Sequence, residues 1–376
     1  MKIASLVTLT GLVVTGAVHA QSVTMYGMMD VGVEVLSNTN GVGTVTRMPS
    51  TTGIIPSRFG FRGKEDLGSG LSAIYTLEMG FAPDTGASGQ GGRLFGRQST
   101  VGFSGDWGAV TLGRQWTMLF WSVLDSDIAG PAVYGLGSLD SYIPNSRVDN
   151  SLAYKGKFGN VTVGATYSLG RDTASAPVPN ISATNCAGEN GADAAACREW
   201  SAMVKYDTAS WGAALGYDTL NGRTVGAAPA DVGVNGGLNS SSKSDTRLLL
   251  NGYAKFSDLK LAGGLIRRTN DGAVANRAKT DLWYMGASYP LSPTFTIDGT
   301  ISKLSYKDVS NFDSTLVTVR GLYKLSKRTT LYAQLGTISN ESLVGLSASG
   351  GVAGPGSAPA LGDSQTGVML GVNHAF

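Results

Sequence analysis

Apolar and polar residues alternate along most of this chain. Between Val23 and Val35, the residues Val23, Met25, Met29, Val31, Val33 and Val35 share one parity, while Thr24, Tyr26, Asp30 and Glu34 share the other. A period of two gives a strand one apolar face and one polar face. The pattern returns with Leu71, Ala73, Tyr75, Leu77 and Met79 set against Ser72, Thr76 and Glu78. It returns less strictly with Phe295, Ile297, Ile301 and Leu304, and again with Val368, Leu370, Val372, His374 and Phe376. Counting such runs predicts about 16 strands. They lie near 22–36, 55–67, 70–80, 95–105, 108–116, 149–157, 160–169, 199–207, 210–220, 245–256, 259–268, 280–289, 294–306, 314–324, 329–340 and 364–376.

The connections between these runs alternate in length. Short ones, such as Gly68-Ser69, Asp106-Trp107, Phe158-Gly159 and Ser257-Asp258, are followed by long ones near 37–54, 81–94, 117–148, 170–198, 221–244, 269–279, 307–313 and 341–363. A soluble β-sandwich or a solenoid, the alternatives to weigh, gives no reason for every second loop to be long. A transmembrane barrel does, because tight turns gather at one rim and long loops at the other. Within a bilayer every backbone polar group must be paired internally, which leaves helices or closed barrels, and no uncharged apolar run of helical span length follows residue 20. The expected fold is therefore all-β, a transmembrane antiparallel barrel of about 16 strands, wide enough for an aqueous lumen.

Composition sharpens this picture. Of 376 residues 53 are glycine, 42% are hydrophobic, only 15% are charged, and the net charge is +2. That balance excludes a disordered chain and a long helical protein, and it provides no polyelectrolyte field for nucleic acid. Lys2, the apolar stretch from Ile3 to Val18 and the small-residue site Val18-His19-Ala20 read as a secretory signal peptide over 1–20, leaving a single domain over 21–376. In the oxidising compartment this implies, Cys186 and Cys197 read as a disulfide pinning a loop, with two free thiols as the alternative. His374 would be the one histidine left, and no GxSxG, HExxH, P-loop or Cys/His cluster is present, so no catalysis, cofactor or metal is expected.

Several ordered motifs then add up. They are Gln-Ser-Val-Thr-Met-Tyr-Gly at 21–27, Ser57-Arg-Phe-Gly-Phe-Arg-Gly-Lys-Glu-Asp-Leu-Gly68, Gly96-Arg-Gln-Ser-Thr-Val-Gly-Phe103, Leu112-Gly-Arg-Gln115, Leu325-Ser-Lys-Arg-Thr329 and the terminal Gly371-Val-Asn-His-Ala-Phe376. Together they resemble the trimeric general-diffusion porins of Gram-negative outer membranes, of the betaproteobacterial type. The resemblance implies a passive, water-filled channel for small hydrophilic solutes and ions. It also implies a homotrimer in contact with outer-membrane lipid and lipopolysaccharide, inserted by the barrel assembly machinery that reads Phe376. A solute-selective porin, for instance for organic anions, and an adhesive barrel with receptor loops are the alternatives.

In such porins the third long loop folds inward, and here that loop is 117–148. The resemblance places Asp125, Asp127 and Asp140 of this loop opposite a basic ladder made of Arg58, Arg97 and Arg147. Parity sends Phe59 and Phe61 to lipid and Arg58 inward. Arg97 fits less cleanly, since an inward Arg97 would turn Val101 and Phe103 inward too unless a bulge intervenes or a neighbouring subunit covers them. Met28 stands where related porins often carry a lysine, which weakens the basic side.

Overall fold

A computed structural model describes residues 22–49, 53–171, 186, 188–224, 238–273, 277–350 and 357–376. The expected leader at 1–20 lies outside them. Among the described residues the strands are β1 (Ser22–Thr39), β2 (Gly43–Arg47), β3 (Arg58–Gly68), β4 (Leu71–Gly80), β5 (Gln98–Gly105), β6 (Gly108–Trp116), β7 (Arg147–Phe158), β8 (Val161–Ser168) and β9 (Glu199–Asp207). They continue with β10 (Trp211–Asn221), β11 (Ser244–Phe256), β12 (Leu259–Asn270), β13 (Lys279–Pro290), β14 (Phe295–Tyr306), β15 (Ser314–Lys324), β16 (Thr329–Asn340) and β17 (Gln365–Ala375). β1 pairs antiparallel with β3 from Ser22↔Lys64 to Met28↔Arg58, consecutive strands from β3 to β17 pair antiparallel in turn, and β1 also pairs with β17 from Met28↔Ala375 to Leu36↔Gly367, so the sheet closes on itself. Sixteen strands make the wall. The seventeenth, β2, is a short hairpin partner of β1 inside the first long connection, too brief for its alternation to stand out in the sequence.

The wall is inside-out relative to a soluble protein. On β11, Leu248 and Leu250 are exposed on the outer face while Arg247 and Leu249 between and beside them are fully buried toward the interior. Val33 and Val35 on β1 and Val368 and Leu370 on β17 likewise face outward. An apolar outer band with a polar interior is what a lipid-facing barrel requires. At the short-turn rim the exposed aromatics Trp107, Tyr206, Trp211 and Tyr323 supply amphipathic rings suited to the membrane interface.

Two connections reach inward: Gly53, between β2 and β3, accepts at its carbonyl from the Gln334 amide of β16 at 2.9 Å and from the Val133 N–H at 3.0 Å, and the connection that holds Val133 enters further. Residues 117–146 leave β6, enter the lumen and return to β7, with the Thr117 N–H donating to the Ser146 carbonyl at the neck (3.0 Å). Inside, the short helix Met118–Val123 and two single-turn segments at Leu136–Ser138 and Ile143–Asn145 pack on the wall. Their Leu119, Val133, Tyr134 and Leu139 meet inward-facing Leu249, Ile266, Leu282 and Leu316, forming an apolar core inside an otherwise polar lumen. Burial of each such side chain contributes about 1.5–3 kcal/mol.

Wall glycines supply the room. A Cβ on Gly336 of β16 would lie 2.5 Å from the Tyr134 ring, and one on Gly216 of β10 would lie 2.7 Å from Ser122 Oγ. On β8, Gly164 faces the Met118 sulfur at still closer range. Part of the glycine excess is thus the seat of this loop.

Candidate pore constriction

The root of the inward loop gathers arginine. Arg58 opens β3 and lies beside Glu78 of β4, with its Nε 3.7 Å from Oε2. Arg97 donates from Nε to Glu78 Oε1 at 2.7 Å, and the Tyr26 hydroxyl donates to Oε2 at 2.9 Å. Arg114 donates from Nε to the Gly96 carbonyl at 2.7 Å and pairs with Asp149, whose carboxylate also meets Arg93 at 3.4 Å. Arg147, the first residue of β7, is 2% exposed. Its guanidinium lies over the Trp116 ring at 3.4 Å, and Arg97 lies over the same ring at 5.5 Å. No carboxylate among the described residues is within ion-pair distance of Arg147, and its buried Nε has no hydrogen-bond partner. Five guanidiniums therefore surround two carboxylates, a local excess of positive charge.

Bulges aim two of these arginines. Val101 and Phe103 are exposed on the outer face, so strict alternation would send Arg97 outward. The Arg97 N–H instead donates to the Glu78 carbonyl while Gln98 is the ladder partner of Glu78. Two residues facing one turns Arg97 into the lumen. On β6 the register shifts between Gly113 and Gln115, and Gly113 takes φ +116°, so Arg114 and Gln115 are both buried although Leu112 is exposed.

The loop aspartates occupy three different environments. Asp125, half exposed, pairs with Lys205 on β9. The Asp127 carboxyl sits in the loop's own turn; burial pushes it up to about 7, against the opposing pull of the Gly130 and Ala129 N–H groups and the Arg320 charge. Asp140 is buried, accepting from Arg247 Nε at 2.8 Å and from Nη2 at 3.2 Å. Burial alone would push its carboxyl up, but Arg247 holds it below the usual carboxylate range. Asp140 therefore pins the loop to β11, and its charge is neutralised there rather than displayed to the lumen. Nearby, the Tyr142 hydroxyl donates to Glu199 (2.6 Å) or Asp218 (2.9 Å), anchoring the same loop to β9 and β10.

Sequence reasoning singled out Arg58, Arg97 and Arg147, and the fold brings all three to one side of the loop root. It missed Arg93, Arg114, Asp149 and Trp116 as members of this group. The Gly113-Arg114-Gln115 triplet carried a signal, a glycine at a bulge, that plain alternation hid. Elsewhere, Cys186 and Cys197 are joined by a disulfide, with Cα atoms 5.4 Å apart. Phe376 donates its N–H to the Gly27 carbonyl and accepts from the Gly27 N–H, at 3.1 and 3.2 Å.

A closed lipid-facing barrel, narrowed from inside by one loop and lined at the narrowing by charge, is a transmembrane diffusion channel. The chain belongs to the Gram-negative porin family, which it matches over residues 4–343. It is 31% identical to outer membrane porin protein 32 of Delftia acidovorans, over 99% of each chain, and 29% identical to an outer membrane porin protein of Bordetella pertussis, over 85% and 89%. Its fold matches the solved structure of an anion-selective porin from Comamonas acidovorans, with a TM-score of 0.71, 24% identity, and 95% and 100% of the two chains covered. It also matches the trimer form of OmpT from Vibrio cholerae, with a TM-score of 0.62, 15% identity, and 95% and 100% covered. The protein is an outer-membrane porin, a water-filled channel for passive diffusion of small hydrophilic solutes and ions.

Proposed function

We propose that this porin favours anions and that Arg58, Arg97 and Arg147 form the basic side of its narrow point. One observation carries the reading. Five guanidiniums meet two carboxylates at the loop root, and the loop aspartates are engaged elsewhere, with Lys205, with backbone N–H groups and with Arg247. An unbalanced ring of one charge sign raises the local concentration of the opposite ion and sets its preference in a pore. Asp125 and Asp127 are the loop acids that temper this field. The channel needs no cofactor and performs no catalysis. By analogy with the trimeric OmpT structure it assembles as a homotrimer. It follows the route of a secreted precursor cleaved after residue 20, recognised at Phe376 by the barrel assembly machinery and held among lipid and lipopolysaccharide.

The test is the zero-current potential across a KCl gradient in planar bilayers. The wild-type potential has the sign of chloride preference, and Arg58→Ala combined with Arg147→Ala moves it toward potassium. A potential that does not move removes both residues from the narrow point.

A further inference from the structure

One buried residue holds the connection 53–57 at both of its ends. Asp30 of β1 is 1% exposed. Its Oδ1 accepts from the Gly53 N–H at 2.9 Å and from the Tyr332 hydroxyl at 2.8 Å. Its Oδ2 accepts from the Ile54 and Ile55 N–H groups at 3.1 and 3.2 Å and from Asn373 Nδ2 at 3.3 Å. Five donors thus compensate its charge, and three of them are consecutive backbone N–H groups of the connection. A buried carboxylate must be hydrogen-bonded, and bonds to a charged acceptor are roughly twice as strong as neutral ones. The Asp30 backbone grips the other end. Its N–H donates to Ser57 Oγ at 2.9 Å, and the Ser57 hydroxyl donates back to the Asp30 carbonyl at 3.1 Å. Between the two grips, Pro56 stiffens the chain through its fixed φ.

This connection joins the two sides of the constriction. At one end the Gly53 carbonyl receives the Val133 N–H of the inward loop at 3.0 Å, and Ile54 packs on the apolar core that the loop forms with the wall. At the other end the next residue is Arg58, whose Nη1 donates to the Pro56 carbonyl at 3.3 Å. We infer that Asp30 is a positioning residue for the constriction: it fixes residues 53–57 as a spacer that sets the distance between the inward loop at Val133 and the Arg58 guanidinium. Alternation marks Asp30 only as lumen-facing. The spacer gives its charge a task other than lining the channel, since the charge is already engaged by the connection it holds. The inference rests on the placement of Arg58 at the narrow point and adds what keeps the facing loop at its distance.

The experiment uses the purified, folded protein and two variants that release the spacer by different means. Asp30→Asn removes the charge and turns one carboxylate oxygen into a donor facing N–H groups. Gly53→Ala keeps the charge, but its Cβ would overlap the Tyr332 hydroxyl and lie 2.6 Å from Asp30 Oδ1. Each variant should speed hydrogen–deuterium exchange of the Val133 amide about tenfold, the factor that loss of one hydrogen bond to a charged group supplies. Each should also lose part of the wild-type discrimination between arabinose and sucrose in liposome swelling, a readout that a purely structural role in the wall leaves unmoved. Wild-type exchange at Val133 in folded Asp30→Asn overturns the spacer. A change in Asp30→Asn with none in Gly53→Ala means that Asp30 acts through its charge on the lumen, and this overturns the positioning role. Should Asp30→Asn not fold, Gly53→Ala decides alone by the same two readouts. An unmoved KCl reversal potential in Arg58→Ala would instead remove Arg58 from the narrow point, and exchange at Val133 does not depend on that result.

Discussion

A carboxyl group on the inward loop meets one of three fates, and the differences are set by neighbours a few ångströms away. Asp125 finds a lysine, Asp140 finds an arginine fork, and Asp127 finds backbone N–H groups in a buried turn, with the Arg320 charge acting on it without a direct ion pair. Proximity in sequence says nothing about this, because the partners lie on β9, β11 and within the turn itself. For Asp127 the sign of the pH effect follows directly. Its folded pKa is raised from 3.8 to about 7, so the folded state holds the proton more tightly than the unfolded chain between those values. The group's contribution to stability therefore falls as pH rises from about 4 through about 7. Its negative charge enters the lumen over the upper end of the same window. Anion preference should accordingly be weaker at pH 8 than at pH 6, and Asp127→Asn should flatten that change. A wild-type reversal potential that is constant across this range would assign the Asp127 charge no part in permeation.

At the scale of elements, the wall and the loop obey different rules. Strands β6, β9, β15 and β16 occupy nearly the spans that alternation alone predicts, because a lipid-facing side chain and a lumen-facing one have opposite polarity at every step. Where the inside is not water the pattern blurs. Leu249, Ile266, Leu282 and Leu316 are apolar although they point inward, since the loop covers them. The bulges at Arg97 and at Gly113–Gln115 break parity where the functional side chains sit, so the charge cluster was only partly legible. The three arginines of the ladder came from resemblance, with parity supporting Arg58 and opposing Arg97. The hairpin β2, and the positions of individual loop residues, depend on long-range contacts that no local period encodes. The glycines of the seat were visible only as an excess. Gly336 offers the direct test: even alanine there sets a methyl group 2.5 Å from the Tyr134 ring, and a larger residue must lift the loop. Overpacking of this kind costs about 1–3 kcal/mol, small against a closed barrel but applied to a segment that narrows the lumen. Gly336→Val should change single-channel conductance and speed proteolysis within 117–146, while the folded barrel retains its resistance to heat. Conductance equal to wild type would show that the loop is seated independently of this contact.

The whole molecule depends on one closure. Each wall strand but two is joined to both neighbours through the chain, whereas β1 and β17 meet only by pairing across the ends. A closed sheet has no edge to aggregate or to expose unpaired backbone in lipid, and an open one has two. Phe376 lies at this seam: it exchanges two hydrogen bonds with Gly27, and its ring covers the Gly27 Cα, leaving no space for a Cβ. At about 0.5–1.5 kcal/mol net for each hydrogen bond, its removal leaves a stable barrel once formed, because the register from Met28↔Ala375 to Leu36↔Gly367 remains. The consequence should be kinetic. Closing the seam brings together strands at opposite ends of the sequence, the contact of highest separation in the fold and the one whose loop-closure entropy is met last. Deletion of Phe376 should slow the appearance of the compact, heat-modifiable band when urea-unfolded protein is diluted into detergent, and should leave the conductance of the fraction that folds unchanged. Folding at the wild-type rate in this purified system would mean that the residue acts only as a signal to the assembly machinery and carries no share of the closure itself.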